Sequence, residues 1–455
     1  MDNLKDDLRA ALSRQPEWVF NRAYQNASKY LNGTLVSKYD SGEIEVLSPS
    51  DVVEISSIDS ALRKRYHDLG EGSLKKSEFA YFLLVGGIAT SMGGCIKAIV
   101  TAKNRKSFAE IKLDHVRAMQ RKYHCRIPVI VMTNDETDKA IMDYLRSNGR
   151  LKDIDMIKIV QPVTVRFRDV DGKLAVMRLK DGTPSYAPGG HYDAFILMHQ
   201  IKDELKKRGI KTIFVNNIDN LGATIDPAIL GCHIDKGSSF TPEVARKEKN
   251  EKGGVFARIS GKMKLLEGPM VPDDYLVQFN DSEVHKYFNT NSIYVDTGIL
   301  DHFNEIDPQV PAFINKKEIE GTKCFGFESA IGLVFGIKDS AIIAIDRTKR
   351  FCPVKFLSDL WLLRSNAFGY DSSESTVFQE ILVKPSLNIP ATFIGKVQDL
   401  DSKIADGGES TDFLDLVSLD WKAKDGRVGK DAKFSGHVVI EEGSEIIDDD
   451  SEISG

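Results

Sequence analysis

Phe79-Ala80-Tyr81-Phe82-Leu83-Leu84-Val85-Gly86-Gly87-Ile88-Ala89-Thr90-Ser91-Met92-Gly93-Gly94-Cys95-Ile96-Lys97 is the stretch on which the fold turns. Its first part is an unbroken apolar run, strand-sized and far short of the ~18 apolar residues a membrane helix needs. Such a run predicts a strand buried on both faces. Two separated glycine pairs follow at once, and a glycine-rich turn after a strand lets backbone N–H groups approach a phosphate, a base or a sugar. The spacing is neither GxGxxG nor GxxxxGK[ST]. Lys97, at the far end, can set a positive charge on a polyphosphate. A purely structural turn stays the alternative until other polar groups are found to keep this one company.

Toward the C-terminus, short apolar runs alternate with amphipathic stretches. Phe108–Tyr123 carries Ile111, His115 and Met119 at helical spacing. Residues 127–132 read as a strand, 137–146 as a short helix, 156–160 as a strand, 194–208 as a helix ended by Gly209, and 212–215 as a strand. This alternation implies a mostly parallel sheet covered on both faces, with ligands beyond the carboxyl ends of the strands. Residues 163–167 and 174–177 flank Asp171-Gly172 as a hairpin, and 255–266 forms a second ribbon around a Ser-Gly turn. The predicted class is therefore α/β: a Rossmann-like mixed sheet with antiparallel insertions.

The ends of the chain differ in texture. Residues 1–75 read as a helical region, with Leu4, Leu8 and Leu12 at helix spacing and a charged helix ending near Gly70. Residues 76–398 read as the α/β domain that carries the glycine loop. Residues 399–412 are polar and lack periodicity, so they read as a connection. Beyond them Val428, Phe434, Ile440 and Ile446 recur every six residues, which suits coils of a left-handed β-helix over 399–455. A short hairpin with an acidic tail at Asp448–Asp450 is the alternative. The run stops in mid-period at Gly455, so this last domain reads as truncated.

Composition closes off other classes. Lys and Arg total 61 against 67 for Asp and Glu, a net charge of −6 of the wrong sign for a nucleic-acid-binding protein. No membrane segment or signal peptide is legible, and the five scattered cysteines lack any CxxC, so a cytoplasmic protein with reduced thiols is expected.

The company sought for the glycine loop is found downstream. Pro188-Gly189-Gly190-His191-Tyr192-Asp193 carries a histidine to a helix start, where anions are favoured. Phe214-Val215-Asn216-Asn217-Ile218-Asp219-Asn220-Leu221-Gly222-Ala223-Thr224 ends a strand in amides and a carboxylate. Polar groups there imply a ligand, and Asp219 is a natural Mg²⁺ ligand, because magnesium bound to substrate phosphate takes only one or two protein carboxylates. Phe288-Asn289-Thr290-Asn291 reads as another amide-rich strand end, and Arg350-Phe351-Cys352-Pro353-Val354-Lys355 brings a second lysine.

Taken in order, these motifs over about residues 75–400 resemble those of the eukaryotic-type UTP–glucose-1-phosphate uridylyltransferase (UDP-glucose pyrophosphorylase) family, which typically shows LNGGLGTSMG, PPGHGD, NIDNLGATVD, FNTNN and RFLPVKTTSDL. The resemblance implies a nucleotidyltransferase core of the GT-A-like kind, a helical N-terminal region and a C-terminal left-handed β-helix. It implies that Leu84, Gly86, Gly87, Gln161, Gly190 and Asp219 bind the nucleotide, Gly86, Gly87 and Gln161 taking the uracil. It assigns His191, Asn217, Glu267, Asn289 and Asn291 to the sugar phosphate, Asp219 to Mg²⁺, and Lys97 and Lys355 to catalysis. The implied reaction joins UTP and glucose 1-phosphate into UDP-glucose and pyrophosphate. Composition predicts no nucleic-acid or membrane partner, and exposed or truncated C-terminal coils allow a homo-oligomer. Departures fall in the glycine loop: Val85 stands for Asn, Ile88-Ala89-Thr90 for LGT, and the approach to Lys97 is a residue shorter. They bear on the placement of Lys97 and the identity of the base. Another sugar or cyclitol 1-phosphate, another nucleotide, or a non-catalytic paralogue that binds nucleotide sugar are the alternatives.

Overall fold

The computed structural model describes residues 2–35, 38–249, 251, 253–381, 384–441 and 447–454. An eleven-stranded mixed sheet organises it. Met156–Gln161, Val129–Asn134, Phe79–Leu84 and Thr212–Asn217 lie side by side and parallel. Tyr287–Asp296 runs antiparallel to Thr212–Asn217 and to Phe240–Arg246, and Ile342–Ala344 and Val52–Glu54 extend the sheet in parallel beyond.

The apolar run reads as it does because both of its faces are buried. Phe79, Tyr81 and Leu83 enter one core, Ala80 and Phe82 the other. The helix Phe108–Tyr123 covers the first face, opened by a capping box in which Ser107 Oγ accepts from the Glu110 N–H and the Glu110 carboxylate accepts from the Ser107 N–H. The helix Asp193–Gln200 covers the second. In the parallel half the chain visits the strands in the order third, second, first, fourth, so the switch point lies between Phe79–Leu84 and Thr212–Asn217. There the crevice opens.

Several expectations are corrected. Residues 1–75 are not wholly helical: Ile44–Val46 pairs with Val255–Ile259 and Val52–Glu54 with Ile342–Ala344, so the region contributes to the main sheet, and the charged helix Ser60–Lys75 runs past Gly70. The 255–266 ribbon belongs to that sheet too, through Val255 opposite Phe288. Residues 194–208 form two helices, Asp193–Gln200 and Lys202–Lys207, broken at Ile201. The hairpin strand 163–167 divides at Arg166: Val163–Val165 pairs with Tyr186–Pro188, while Phe167–Val170 turns at Asp171-Gly172 to meet Lys173–Val176. Residues 399–412 hold most of a helix, Val397–Lys403, whose first turn is set by the Asp399 carboxylate accepting from the Lys396 N–H.

At the C-terminus Ser386–Asn388, Asp412–Trp421, Lys433–Ile440 and Glu452–Ser454 form a four-stranded parallel sheet in chain order. The helix Val397–Lys403 lies between the first two of these strands, while no described helix separates Asp412–Trp421, Lys433–Ile440 and Glu452–Ser454; a hairpin would have paired them antiparallel. Phe413 lies beside Phe434, and Phe434 beside Ile453. Val428, Phe434 and Ile440 are buried, whereas Ile446 falls outside the described residues. Trp361 of the helix Leu357–Arg364 meets Phe413, Trp421 and Phe434 edge-on, which joins this four-stranded sheet to the core of the larger one. All five cysteines are free thiols.

Candidate active site

Two adjoining cavities, of about 330 and 210 Å³, open at the switch point. Leu84, Gly86, Gly87, Lys97 and Gln161 line the larger, and Glu267, Asn289, Asn291 and Lys355 the smaller. Gly190, His191, Asn217 and Asp219 line both and form the seam. Every candidate residue read from the sequence therefore meets at one crevice.

Hydrogen bonding sorts the groups on the larger side. The Gly86 N–H donates to Met132 O (3.1 Å), and its carbonyl accepts from Asn134 Nδ2 (2.6 Å). Gly87 has neither backbone group engaged among the described residues, so of the pair it alone offers both a free N–H and a free carbonyl. Gln161 Nε2 donates to Gly190 O and to Asp193 Oδ2, both at 2.9 Å. With both amide hydrogens taken, only its oxygen remains to accept. Burial raises the Asp193 carboxyl to about 6, although the Gln161 bond opposes the shift. Gly190 has φ +96°, and a Cβ there would lie 2.3 Å from Ser329 O, so only glycine lets this turn close while its N–H stays free.

At the seam the Lys97 ammonium donates to Asp219 Oδ2 and to Val354 O, each at 2.7 Å. The other Asp219 carboxylate oxygen has no protein partner among the described residues. The Asn217 amide is likewise without one. His191 Nδ1 accepts from the Ile331 N–H (3.1 Å), which puts the proton on Nε2. Burial lowers the imidazole to about 4, so it enters the crevice as a neutral donor.

On the smaller side, Asn289–Asn291 open the strand Tyr287–Asp296 and do not end it. The sequence reading erred because that strand is antiparallel, which brings its start to the carboxyl ends of its neighbours. A bulge opposite Glu243 and Val244 and the left-handed φ of Asn291 (+58°) aim the amides inward. Asn289 Nδ2 donates to Asn291 Oδ1 (3.0 Å), leaving the other amide hydrogens for a ligand. Glu267 faces them, its carboxyl raised to about 7 by burial, with nearby Lys355 pulling the other way. The Lys355 ammonium lies 5.4 Å from the centre of the Phe288 ring and has no carboxylate partner among the described residues.

A family model described as UTP–glucose-1-phosphate uridylyltransferase matches residues 20–425. The chain belongs to the UTP–glucose-1-phosphate uridylyltransferase family. Its similarity to a uridylyltransferase of that name from Solanum tuberosum is 30% identity over 395 residues, covering 81% of each chain. To that from Musa acuminata it is 31% over 352 residues, covering 74% of this chain and 73% of the other. In fold it is similar to a crystal structure titled UDP-glucose phosphorylase from Trypanosoma brucei, with a TM-score of 0.82 at 21% identity over 99% of this chain and 98% of that one. It is similar also to a variant of the UDP-glucose pyrophosphorylase of Leishmania major in complex with UDP-glucose, with a TM-score of 0.81 at 18% identity, covering 100% and 98%.

In this uridylyltransferase-family chain the sequence reading missed three groups. Glu328 lines the smaller cavity at the end of the strand Thr322–Glu328, where Asn315 donates to it. A carboxylate closing an apolar strand was the signal used for Asp219 and was available here. Arg350 is buried, bidentate on Glu243 and bonded to Thr224, so it ties the run leading to Lys355 to the loop that carries Asp219. Lys112 is buried on the apolar face of Phe108–Tyr123, four residues after Phe108 and three before His115, and a lysine in that stripe was the legible sign.

Proposed function

We propose that the protein transfers a uridylyl group from UTP to glucose 1-phosphate, giving UDP-glucose and pyrophosphate reversibly. The observation that carries this reading is the pairing of Lys97 with Asp219 at the seam between two cavities of different chemistry. One cavity offers backbone groups and an amide acceptor suited to a flat base. The other offers amides and a carboxylate suited to hexose hydroxyls.

In this reading Gly87 and the free N–H of Gly190 bind uracil carbonyls, and Gln161 Oε1 accepts from the ring N3–H. Glu267, Asn289 and Asn291 hold the hexose, while Asn217 and the neutral His191 donate to phosphate oxygens. A non-bridging oxygen of glucose 1-phosphate then forms a bond to the α-phosphorus. The bond from that phosphorus to the β-phosphate oxygen breaks, and pyrophosphate leaves with the electron pair. The nucleophile is already an anion, so no general base is needed. Lys97 and Lys355 offset the repulsion between the two phosphates and stabilise charge on the leaving group.

Mg²⁺ fits this arrangement. Asp219 supplies a hard oxygen donor with one oxygen free, and among the described residues no three His, Cys, Asp or Glu side chains gather, as suits an ion held mainly by substrate phosphates. When bound, the ion would supply charge neutralisation on the triphosphate. A binding-only paralogue would have no use for this carboxylate and these two lysines together.

The same proposal takes residues 76–398 as catalytic, with 1–75 and 399–455 flanking. Supporting a left-handed β-helix are the parallel strands and their stacked column of buried Phe413 and Phe434 with half-buried Ile453; such coils, carrying exposed Leu414, Val417 and Val439, are where subunits would pair. The free thiols and phosphorylated substrates suit the cytoplasm, and among the described residues no helix is long and apolar enough to cross a membrane. Incubating the protein with UTP, glucose 1-phosphate and Mg²⁺ and identifying the products by chromatography tests the reading. Equimolar UDP-glucose and pyrophosphate support it; UTP consumed to UDP and phosphate, or not at all, defeats it.

A further inference from the structure

The loop at residues 216–223 carries Asn217 and Asp219 into the crevice, and a single buried ammonium holds both of its ends. Lys112 Nζ donates to Asn216 Oδ1 (3.1 Å) at the start of the loop and to Ala223 O (2.7 Å) at its close. Its third donor goes to the Tyr81 hydroxyl (3.1 Å), which itself donates to Ala223 O (2.6 Å). Three N–H donors therefore meet three acceptors, which is the complement of a protonated lysine, although burial, with Arg350 nearby, pulls the ammonium down to about 7. The middle of the same loop receives the run that ends in Lys355. Asn220 Oδ1 accepts from the Cys352 N–H (2.9 Å), and Asp219 O accepts from the Val354 N–H (3.3 Å).

Lys112 is 1% exposed and lines neither cavity. Burying an ammonium carries a desolvation penalty of several kcal/mol, and an apolar side chain of similar length would fill the space without it. What the ammonium adds is direction: a fixed distance between the two ends of the loop that presents Asp219. Against Tyr287–Asp296 the pairing of Thr212–Asn217 ends at Val215, while against Phe79–Leu84 it continues to Asn217, so the staple holds Asn216 on the side where the ladder has stopped.

We propose that Lys112 is a positioning residue, whose ammonium clamps Asn216 to Ala223 and so sets where Asp219 and, through Val354, Lys355 stand in the crevice. The proposal rests on the reading of Asp219 as the metal ligand. The test compares Lys112→Met and Asp219→Ala with the parent in steady-state kinetics, with Mg²⁺ titrated at saturating UTP, and in thermal unfolding. A folded Lys112→Met is expected to lose at least ~10-fold in kcat and to need at least ~5-fold more Mg²⁺ for half-maximal rate, while KM for glucose 1-phosphate stays within ~2-fold. A lower kcat at an unchanged Mg²⁺ requirement, as a smaller active fraction would give, overturns the proposal. So does a variant within ~2-fold of the parent in both quantities. If Lys112→Met does not fold, Lys112→Gln, which keeps N–H donors without the charge, is measured in its place against the same two outcomes. Asp219→Ala separates the failures. If it keeps the parent's Mg²⁺ response, the metal reading falls; if it loses that response while the Lys112 variant keeps it, the Lys112 proposal alone falls.

Discussion

The Lys97 ammonium stands 2.7 Å from the Asp219 carboxylate, and both groups line the crevice. Without substrate, the cation offsets the charge of the side chain best suited to hold a metal. Under the proposed reaction, an arriving triphosphate would present Lys97 with a more highly charged partner and release a carboxylate oxygen. The ion pair thus leaves Lys355, the second lysine proposed for catalysis, as the one of the two without a carboxylate partner among the described residues.

Lys97→Met follows from this directly. The variant is expected to bind Mn²⁺ at least ~3-fold more tightly than the parent when no nucleotide is present, because its competitor for Asp219 is gone, and yet to lose at least ~100-fold in kcat. Mn²⁺ titration by electron paramagnetic resonance reads the first effect. Unchanged affinity would mean that Asp219 is not the ion's ligand.

Lys355→Ala is expected to lower kcat by at least ~100-fold with little change in stability. The side chain is exposed, and among the described residues its ammonium has no hydrogen-bond partner, lying over the Phe288 ring and near Glu267, so unfolding midpoints should agree within a few degrees. Turnover within a few-fold of the parent would remove Lys355 from the chemistry.

Glu267 gives a pH dependence of definite sign. Burial raises its carboxyl to about 7, so the ionised form that accepts from sugar hydroxyls is complete above that value and is lost as pH falls through it. KM for glucose 1-phosphate should rise about 10-fold between pH 8 and pH 6 in the parent, and less in Glu267→Gln, which cannot titrate. The comparison cancels the ionisation of the substrate itself. Identical profiles would place Glu267 outside sugar recognition.

Gln161→Ala tests the base. Gly190 O and Asp193 hold both amide hydrogens, so the oxygen suits the N3–H of uracil and meets only a lone pair on cytosine. The variant is expected to reduce discrimination of UTP over CTP in kcat/KM by at least ~10-fold. Unaltered discrimination would assign base reading to the backbone alone.

Much of this was legible because buried parallel strands announce themselves. Phe79–Leu84 and Thr212–Asn217 are apolar on both faces, and the polar residues that end them stand out. Tyr287–Asp296 was harder: its amides come first, and only its antiparallel direction brings them to the crevice. The short strands Ile44–Val46 and Val52–Glu54 owe their conformation to partners more than 200 residues away, Ala257 and Ile343 among them, so no local pattern marks them. The glycine loop was legible as a candidate binding loop that lines the crevice, but the difference between Gly86 and Gly87 lies in contacts with Met132 and Asn134 that spacing does not carry.

The proposed crevice reads uracil and transfers the uridylyl group of UTP to a hexose 1-phosphate with release of pyrophosphate. Pyrophosphate release with glucose 1-phosphate, compared across UTP, CTP, GTP and ATP, tests it most directly. A preference for UTP over GTP and ATP of at least ~100-fold in kcat/KM, roughly 3 kcal/mol, is the result predicted. Comparable use of GTP or ATP would contradict it.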